Sequence, residues 1–196
     1  MSGAWTWEET RGQGTYDAAD EASTRRFGQA LAQVLPPGTV VALSGTLGAG
    51  KTRLVQGLAA GLGIDPEQVV SPTFGICHEH PGQANRPGLN HLDLYRVADA
   101  DELLELGFDE YCGSDRITAI EWADRFPREM PRLRLDVEML ATSEGARRIV
   151  LCPRGPGLRA SSAAESATGD AAAPDGWLLP QLRRLGDHLR GEHLRE

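Results

Sequence analysis

Eight consecutive residues carry the plainest chemical signal in this chain: Gly45-Thr46-Leu47-Gly48-Ala49-Gly50-Lys51-Thr52, which reads G-x-x-x-x-G-K-T. Gly45, Gly48 and Gly50 permit backbone angles that turn several N–H groups toward one anion. A helix beginning behind them adds the partial positive charge of its N-terminus. In such a loop the lysine reaches the terminal phosphates of a nucleoside triphosphate, and the threonine hydroxyl ligates magnesium. The stretch therefore predicts a bound triphosphate with Mg2+. It names a ligand class and leaves the reaction open.

Three further stretches bear on the reaction. Ser71-Pro72-Thr73-Phe74 sits where many P-loop proteins carry a switch segment, and a threonine there senses the γ-phosphate or its metal. His91-x-Asp93-x-Tyr95-Arg96 places His91, Asp93 and Tyr95 on one face of a strand. Ile117 to Ile120 is an apolar strand that delivers Glu121-Trp122 at its carboxyl end, the layout that holds magnesium through an acidic side chain. Each has a plainer reading when taken singly. Thr73 also fits the start of a strand after a proline turn. Asp93 and Arg96 also fit an exposed charge pair, and Glu121 a cap on the next segment. Their combination, in this order behind this loop, shifts the balance away from the plainer readings.

The elements that must position these residues are legible from patterning. A strand of aromatic and threonine residues is expected at Ala4–Glu8, although its tryptophans also fit a loose terminus, and Gly12-Gln13-Gly14 reads as a turn. Phe27, Leu31, Val34 and Leu35 give an apolar stripe to a helix from about Asp20 to Leu35, ended by Pro36-Pro37-Gly38. Thr39–Leu43 is the strand before the phosphate loop, and Leu54, Leu58 and Leu62 are the buried stripe of the helix after it. Residues 81–88 read as a hairpin loop, and Leu89–Arg96 alternates as a half-buried strand. Asp99 and Glu102 resemble a capping box for a short acidic helix closed by Gly107. Leu133–Met139 and Arg148–Cys152 form a terminal hairpin around Ser143-Glu144-Gly145. The fold class is α/β. Residues 1–152 are expected to form one domain. Residues 153–176, rich in Pro, Gly, Ala and Ser, read as a linker. Residues 177–196 read as a short amphipathic helical tail, with Leu178, Leu182, Leu185 and Leu189 on one face. Docking on the domain, binding a partner and remaining a flexible, dispensable extension are all open to that tail.

Composition narrows the surroundings. A net charge of −8 opposes any unaided grip on a phosphate backbone, so a role with nucleic acid needs a second protein to do the holding. No stretch reaches membrane-spanning length, and the N-terminus lacks a signal pattern. Cys77, Cys112 and Cys152 are widely spaced and read as reduced thiols of a cytoplasmic protein.

The ordered set Gly45–Thr52, Ser71–Phe74, His91–Arg96, Glu102-Leu-Leu-Glu-Leu-Gly107 and Glu121-Trp122 closely resembles the TsaE (YjeE) family of bacterial ATPases, over roughly residues 16 to 152. The resemblance implies a P-loop NTPase-like mixed sheet flanked by helices, with a C-terminal β-hairpin. It implies an ATPase, using ATP and Mg2+, that supports threonylcarbamoyladenosine modification of tRNA together with a TsaD–TsaB heterodimer. The tRNA would be reached through that complex; neither DNA nor a membrane is implied. Carried onto this chain, Gly45, Leu47, Gly48, Ala49, Gly50, Lys51, Thr52 and Arg53 would surround the nucleotide, with Glu21 and Arg147 beside it. Thr52, Glu121 and Asp93 would attend the metal, and Asp93, Glu121 and the switch residue Thr73 would serve hydrolysis. The segment from Pro153 to Glu196 has no counterpart in the family core.

Two other classes fit a phosphate loop. A small-molecule kinase needs an acceptor pocket and an arginine-bearing lid, for which Arg125 and Arg128 are the nearest residues. A guanine-reading switch needs an N-K-x-D or T-K-x-D segment, which the sequence lacks. A metal site built from His78, His80, His91 and Asp93 is a weaker reading than surface and strand-end roles for those residues.

Overall fold

The computed structural model describes residues 3–72, 76–83, 85–143, 145–155 and 178–191. Its centre is one sheet of eight strands. In chain order these are β1 (Ala4–Glu8), β2 (Gln13–Ala18), β3 (Val40–Ser44), β4 (Cys77–His80), β5 (Leu89–Asp93), β6 (Ile117–Glu121), β7 (Arg134–Ser143) and β8 (Ala146–Arg154). They lie side by side as β1-β2-β8-β7-β3-β6-β5-β4. The middle four, β7, β3, β6 and β5, are parallel. Antiparallel strands close both sides, β4 on β5 and the set β8, β2 and β1 on β7.

The central strands are apolar along nearly their whole length because helices cover both faces. Side chains alternate between those faces along β3. Val41 and Leu43 join Phe27, Leu31, Leu54, Leu58 and Val137 in the larger core, under α1 (Glu21–Val34) and α2 (Lys51–Gly61). Val40 and Ala42 join Leu92, Leu103, Phe108 and Ile120 in the smaller one, under α3 (Ala100–Glu105) and α4 (Phe108–Cys112).

Helix α1 starts where the sequence indicates. Asp20 accepts a bond from the Ser23 N–H at 2.7 Å, and the Ser23 hydroxyl oxygen accepts one from the Asp20 N–H at 3.0 Å. This reciprocal pair satisfies two otherwise orphaned donors. In α3, Asp99 caps the Glu102 N–H, but the Glu102 carboxylate accepts from Ala98 rather than from Asp99.

The structure corrects several expectations. Gln13-Gly14 is strand rather than turn, the start of β2, which bridges β1 and β8. Its signal is weak because Gln13, Thr15 and Asp17 alternate with a glycine, leaving only Tyr16 and Ala18 as apolar inward residues. Tyr16 stacks on Phe27 at 4.4 Å between ring centroids, so β2 holds α1 in place. The tryptophans of β1 are not loose, for Trp5 and Trp7 pack against the larger core. β5 stops at Asp93 rather than reaching Arg96, because the Asp93 carboxylate takes the Tyr95 N–H at 3.0 Å and turns the chain.

At the other end, β8 runs on through Pro153 and Arg154, which pair with Leu135 and Arg134 of β7. Residues 156–177, most of the expected linker, lie outside the described residues. Helix α5 (Leu179–Gly191) packs back on α1 and β1. Leu178, Leu182 and Leu185 are fully buried there, and Arg183 pairs with Glu9 at 2.7 Å. Among the described residues no helix is long and apolar enough to cross a membrane.

Candidate functional site

The phosphate loop leaves the carboxyl end of β3, between β6 and β7. Gly45 has φ +137°, and a Cβ there would stand 2.4 Å from the Met139 carbonyl oxygen, so the loop cannot leave the sheet through any other residue type. Gly50, at φ +100°, opens α2, and a Cβ on it would meet the Arg147 guanidinium at 2.7 Å. Leu47 projects outward, 81% exposed, while Ala49 is buried.

Lys51 is buried, with Nζ donating to the carbonyls of Gly45 at 2.8 Å and Thr46 at 3.1 Å. Its ammonium lies 3.7 Å from the centre of the Trp122 ring, a cation–π distance. Burial lowers the Lys51 pKa, opposed by the carboxylates of Glu121, Asp124 and Asp93.

Strand register brings the other candidates alongside. Leu43 of β3 pairs with Glu121 of β6, and Glu121 pairs with Asp93 of β5. The carboxyl ends of three neighbouring parallel strands thus open onto one crevice, where ligands of open α/β sheets bind. Glu121 is only 3% exposed. One of its oxygens, Oε1, receives the Thr52 hydroxyl at 2.8 Å and His91 Nε2 at 2.9 Å. A carboxylate only accepts, so His91 carries its proton on Nε2. His91 is fully buried, and its Nδ1 has no hydrogen-bond partner among the described residues.

Asp93 is held separately. Its Oδ2 accepts the Ser71 hydroxyl at 2.5 Å, and its Oδ1 accepts the Tyr95 N–H. Ser71 belongs to the expected switch segment, whose Thr73 lies outside the described residues. Trp122 adopts a left-handed backbone, φ +61°, strained for any side chain but glycine. That turn lays its ring over Lys51 and against Tyr95, with ring centroids 4.9 Å apart. Arg125 fastens the neighbouring turn by donating to the carbonyls of Leu94 and Tyr95.

Glu21 and Arg53 form an exposed ion pair at 3.0 Å, joining the first turns of α1 and α2. Arg147 is buried beside Gly50, donating to Thr24 Oγ1 at 3.3 Å and to the Gly145 carbonyl at 2.9 Å. Both arrangements border the phosphate loop. The Thr52 hydroxyl and Glu121 carboxylate are adjacent hard oxygen donors, the kind magnesium takes. Among the described residues no group of three or more His, Cys, Asp or Glu side chains could hold a metal, so the histidine-rich metal reading has no cluster behind it. Magnesium in phosphate loops draws most of its ligands from phosphate and water, so a hydroxyl–carboxylate pair is an adequate protein contribution.

A family model described as threonylcarbamoyl adenosine biosynthesis protein TsaE matches residues 18–149. The chain belongs to the TsaE family. Three relatives, each described as a tRNA threonylcarbamoyladenosine biosynthesis protein TsaE, illustrate the match. The Nostoc protein is 41% identical over 139 residues, 69% of this chain and 83% of the relative. The Synechocystis protein is 49% identical over 113 residues, 56% of this chain and 69% of the relative. The Treponema pallidum protein is 35% identical over 128 residues, 65% of this chain and 92% of the relative. The crystal structure of Bacillus subtilis YdiB superposes with a TM-score of 0.61 at 24% identity, covering 92% of this chain and 96% of that one, a likeness of fold.

In this family member the resemblance left three participants without a role. His91 lay inside the quoted motif, but its grip on Glu121 depends on the pairing of β5 with β6. Ser71 was quoted for the threonine two residues on. Gln56 carried no signal: its Oε1 accepts from Arg25 at 2.9 Å and Arg53 at 3.0 Å, while its Nε2 donates to the Val69 carbonyl at 2.9 Å, two residues before Ser71. A polar residue on the buried side of α2 was the available clue.

Proposed function

We propose that this TsaE-family protein binds and hydrolyses ATP with Mg2+ to support threonylcarbamoyladenosine modification of tRNA, acting in the cytoplasm with a TsaD–TsaB complex. The observation that carries the proposal is the Thr52–Glu121 contact at 2.8 Å, which ties the phosphate loop to the acidic end of a neighbouring strand. The names of the matched relatives supply the tRNA pathway.

The backbone N–H groups of residues 45–52 would cradle the phosphates. Lys51 would exchange the carbonyls of Gly45 and Thr46 for phosphate oxygens. Arg53, Glu21 and Arg147 would border the nucleotide. Thr52 and Glu121, with Asp93, would hold the magnesium, which supplies positive charge against the phosphates when bound. Asp93, steadied by Ser71, would orient a water toward the γ-phosphorus. The new P–O bond forms as the bond to the ADP oxygen breaks, giving ADP and phosphate. Thr73 would report the γ-phosphate to the partner. A net charge of −8 suits a protein that leaves the RNA to its partners.

The test is a system reconstituted from this protein, TsaD–TsaB, tRNA, ATP and the modification precursors. Lys51→Ala is expected to abolish ATP-dependent modification. Unimpaired modification by that variant would refute the proposal.

A further inference from the structure

An apolar pocket of about 170 Å³ opens between the β4–β5 edge and α3–α4, on the sheet face opposite α1 and α2. Leu92, Leu103 and Phe108 belong to the buried core behind it, while Ile76, Tyr111 and Leu106 line it closer to solvent. Leu106 is 37% exposed at its edge, and Leu104 of the neighbouring α3 is 60% exposed. A pocket of this size holds one branched aliphatic side chain or a small ring.

The surrounding charge is mainly acidic, and Arg116, whose charge acts on Cys77 of the pocket wall, is paired with Glu79 at 3.2 Å. From Val97 to Asp115 the sequence has seven Asp and Glu residues and no Lys or Arg. Asp99 and Glu102 are occupied in capping α3, but Asp101, Glu105, Asp109 and Glu110 are exposed around the leucines. Such a rim repels RNA and repels a second copy of this acidic chain, and it attracts a basic polypeptide.

The pocket also touches the strand that carries Asp93. Leu92 immediately precedes Asp93, and the Asp93 N–H donates to the carbonyl of Ile76 at 3.1 Å. The pocket wall therefore adjoins the backbone that carries this carboxylate.

We propose that this pocket receives an apolar side chain borne on a basic segment of a partner protein. The inference rests on the partner-dependent ATPase reading above. Full-length protein with ATP is titrated against purified TsaD–TsaB at low and high salt, using Leu106→Glu and the double variant Glu105→Lys/Glu110→Lys. Each variant is expected to weaken binding roughly tenfold or more, as loss of a central anchor or of charge complementarity does. Wild-type affinity is expected to fall as salt rises. ATP binding by the isolated variants should match wild type, which shows that they are folded. Wild-type capture unaffected by either variant overturns this inference alone. Wild-type protein that captures no TsaD–TsaB overturns the parent reading and this inference with it. A variant-sensitive dimer of this chain, or variant-sensitive capture of tRNA without protein, assigns the pocket to another occupant and overturns the inference.

Discussion

Replacing His91 with leucine separates the role of one hydrogen bond from the role of the carboxylate it holds. Glu121 Oε1 has two donors, Thr52 at 2.8 Å and His91 at 2.9 Å. The carboxylate is almost fully buried, so a lost donor is not replaced by water. A hydrogen bond to a buried charge is worth about 1.5–3 kcal/mol, and leucine nearly fills the imidazole volume, so the cavity contribution is small. His91→Leu should therefore destabilise the fold by about 2 kcal/mol, read from denaturant midpoints. The effect on turnover should be larger than on nucleotide affinity. In the proposed function Thr52 and Glu121 would both hold the metal, which would leave His91 as the protein donor that orients Glu121. The same free energy then appears as a fall in kcat of roughly tenfold to a hundredfold, with KM little changed. The chemistry of rescue is specific. The side-chain nitrogen of glutamine reaches about as far as Nε2, and that of asparagine about as far as Nδ1. His91→Gln should recover most of the loss and His91→Asn should not. Equal rescue by both, or a leucine variant within about 0.5 kcal/mol of wild type in stability, would refute the reasoning.

Two further predictions concern the frame. Ser23 holds Asp20 ionised by its backbone N–H, lowering the Asp20 pKa below 3.8; the stabilisation is complete above that value and lost as pH falls through the lowered one. Asp20→Ala should cost about 1 kcal/mol at neutral pH, with the gap to wild type closing as urea melts are taken progressively below pH 3.8; a gap independent of pH would contradict the capping role. In α5, Leu182→Ala removes a fully buried side chain and should raise amide exchange throughout the helix, its cost of about 2–4 kcal/mol limited by the free energy of docking. Arg183→Ala breaks only the exposed pair with Glu9 and should cost well under 1 kcal/mol, so a larger effect at Arg183 than at Leu182 would show that charge rather than burial seats the helix.

The strongest expectations came from short-range physics. A phosphate loop is a local device, so residue types at fixed spacing suffice to name it, and Asp20 likewise announces a helix start through a partner three residues away. The central strands β3 and β6 are apolar on both faces because they are covered on both faces, which makes them visible as uninterrupted runs. Legibility failed where a residue's meaning lay in a distant partner. β2 looked like a turn because its stability comes from β8 and from Tyr16 stacking on Phe27. β5 looked longer than it is because alternation continues through Leu94 and Tyr95, while the Asp93 side chain ends the strand by taking a backbone donor.

By itself the sequence determined the phosphate loop, the order of most helices and strands and, through its resemblance, the family. Each of these follows from patterns within a few residues or from their linear order. Only the tertiary structure decided that Thr52 and His91 share one oxygen of Glu121, that the Ser71 hydroxyl donates to Asp93, and that Trp122 lies over Lys51. It also seated the tail helix on α1. Those contacts join positions 22 to more than 100 residues apart in sequence, and a side chain's partner at that separation is fixed by strand pairing and core packing. No local pattern records it.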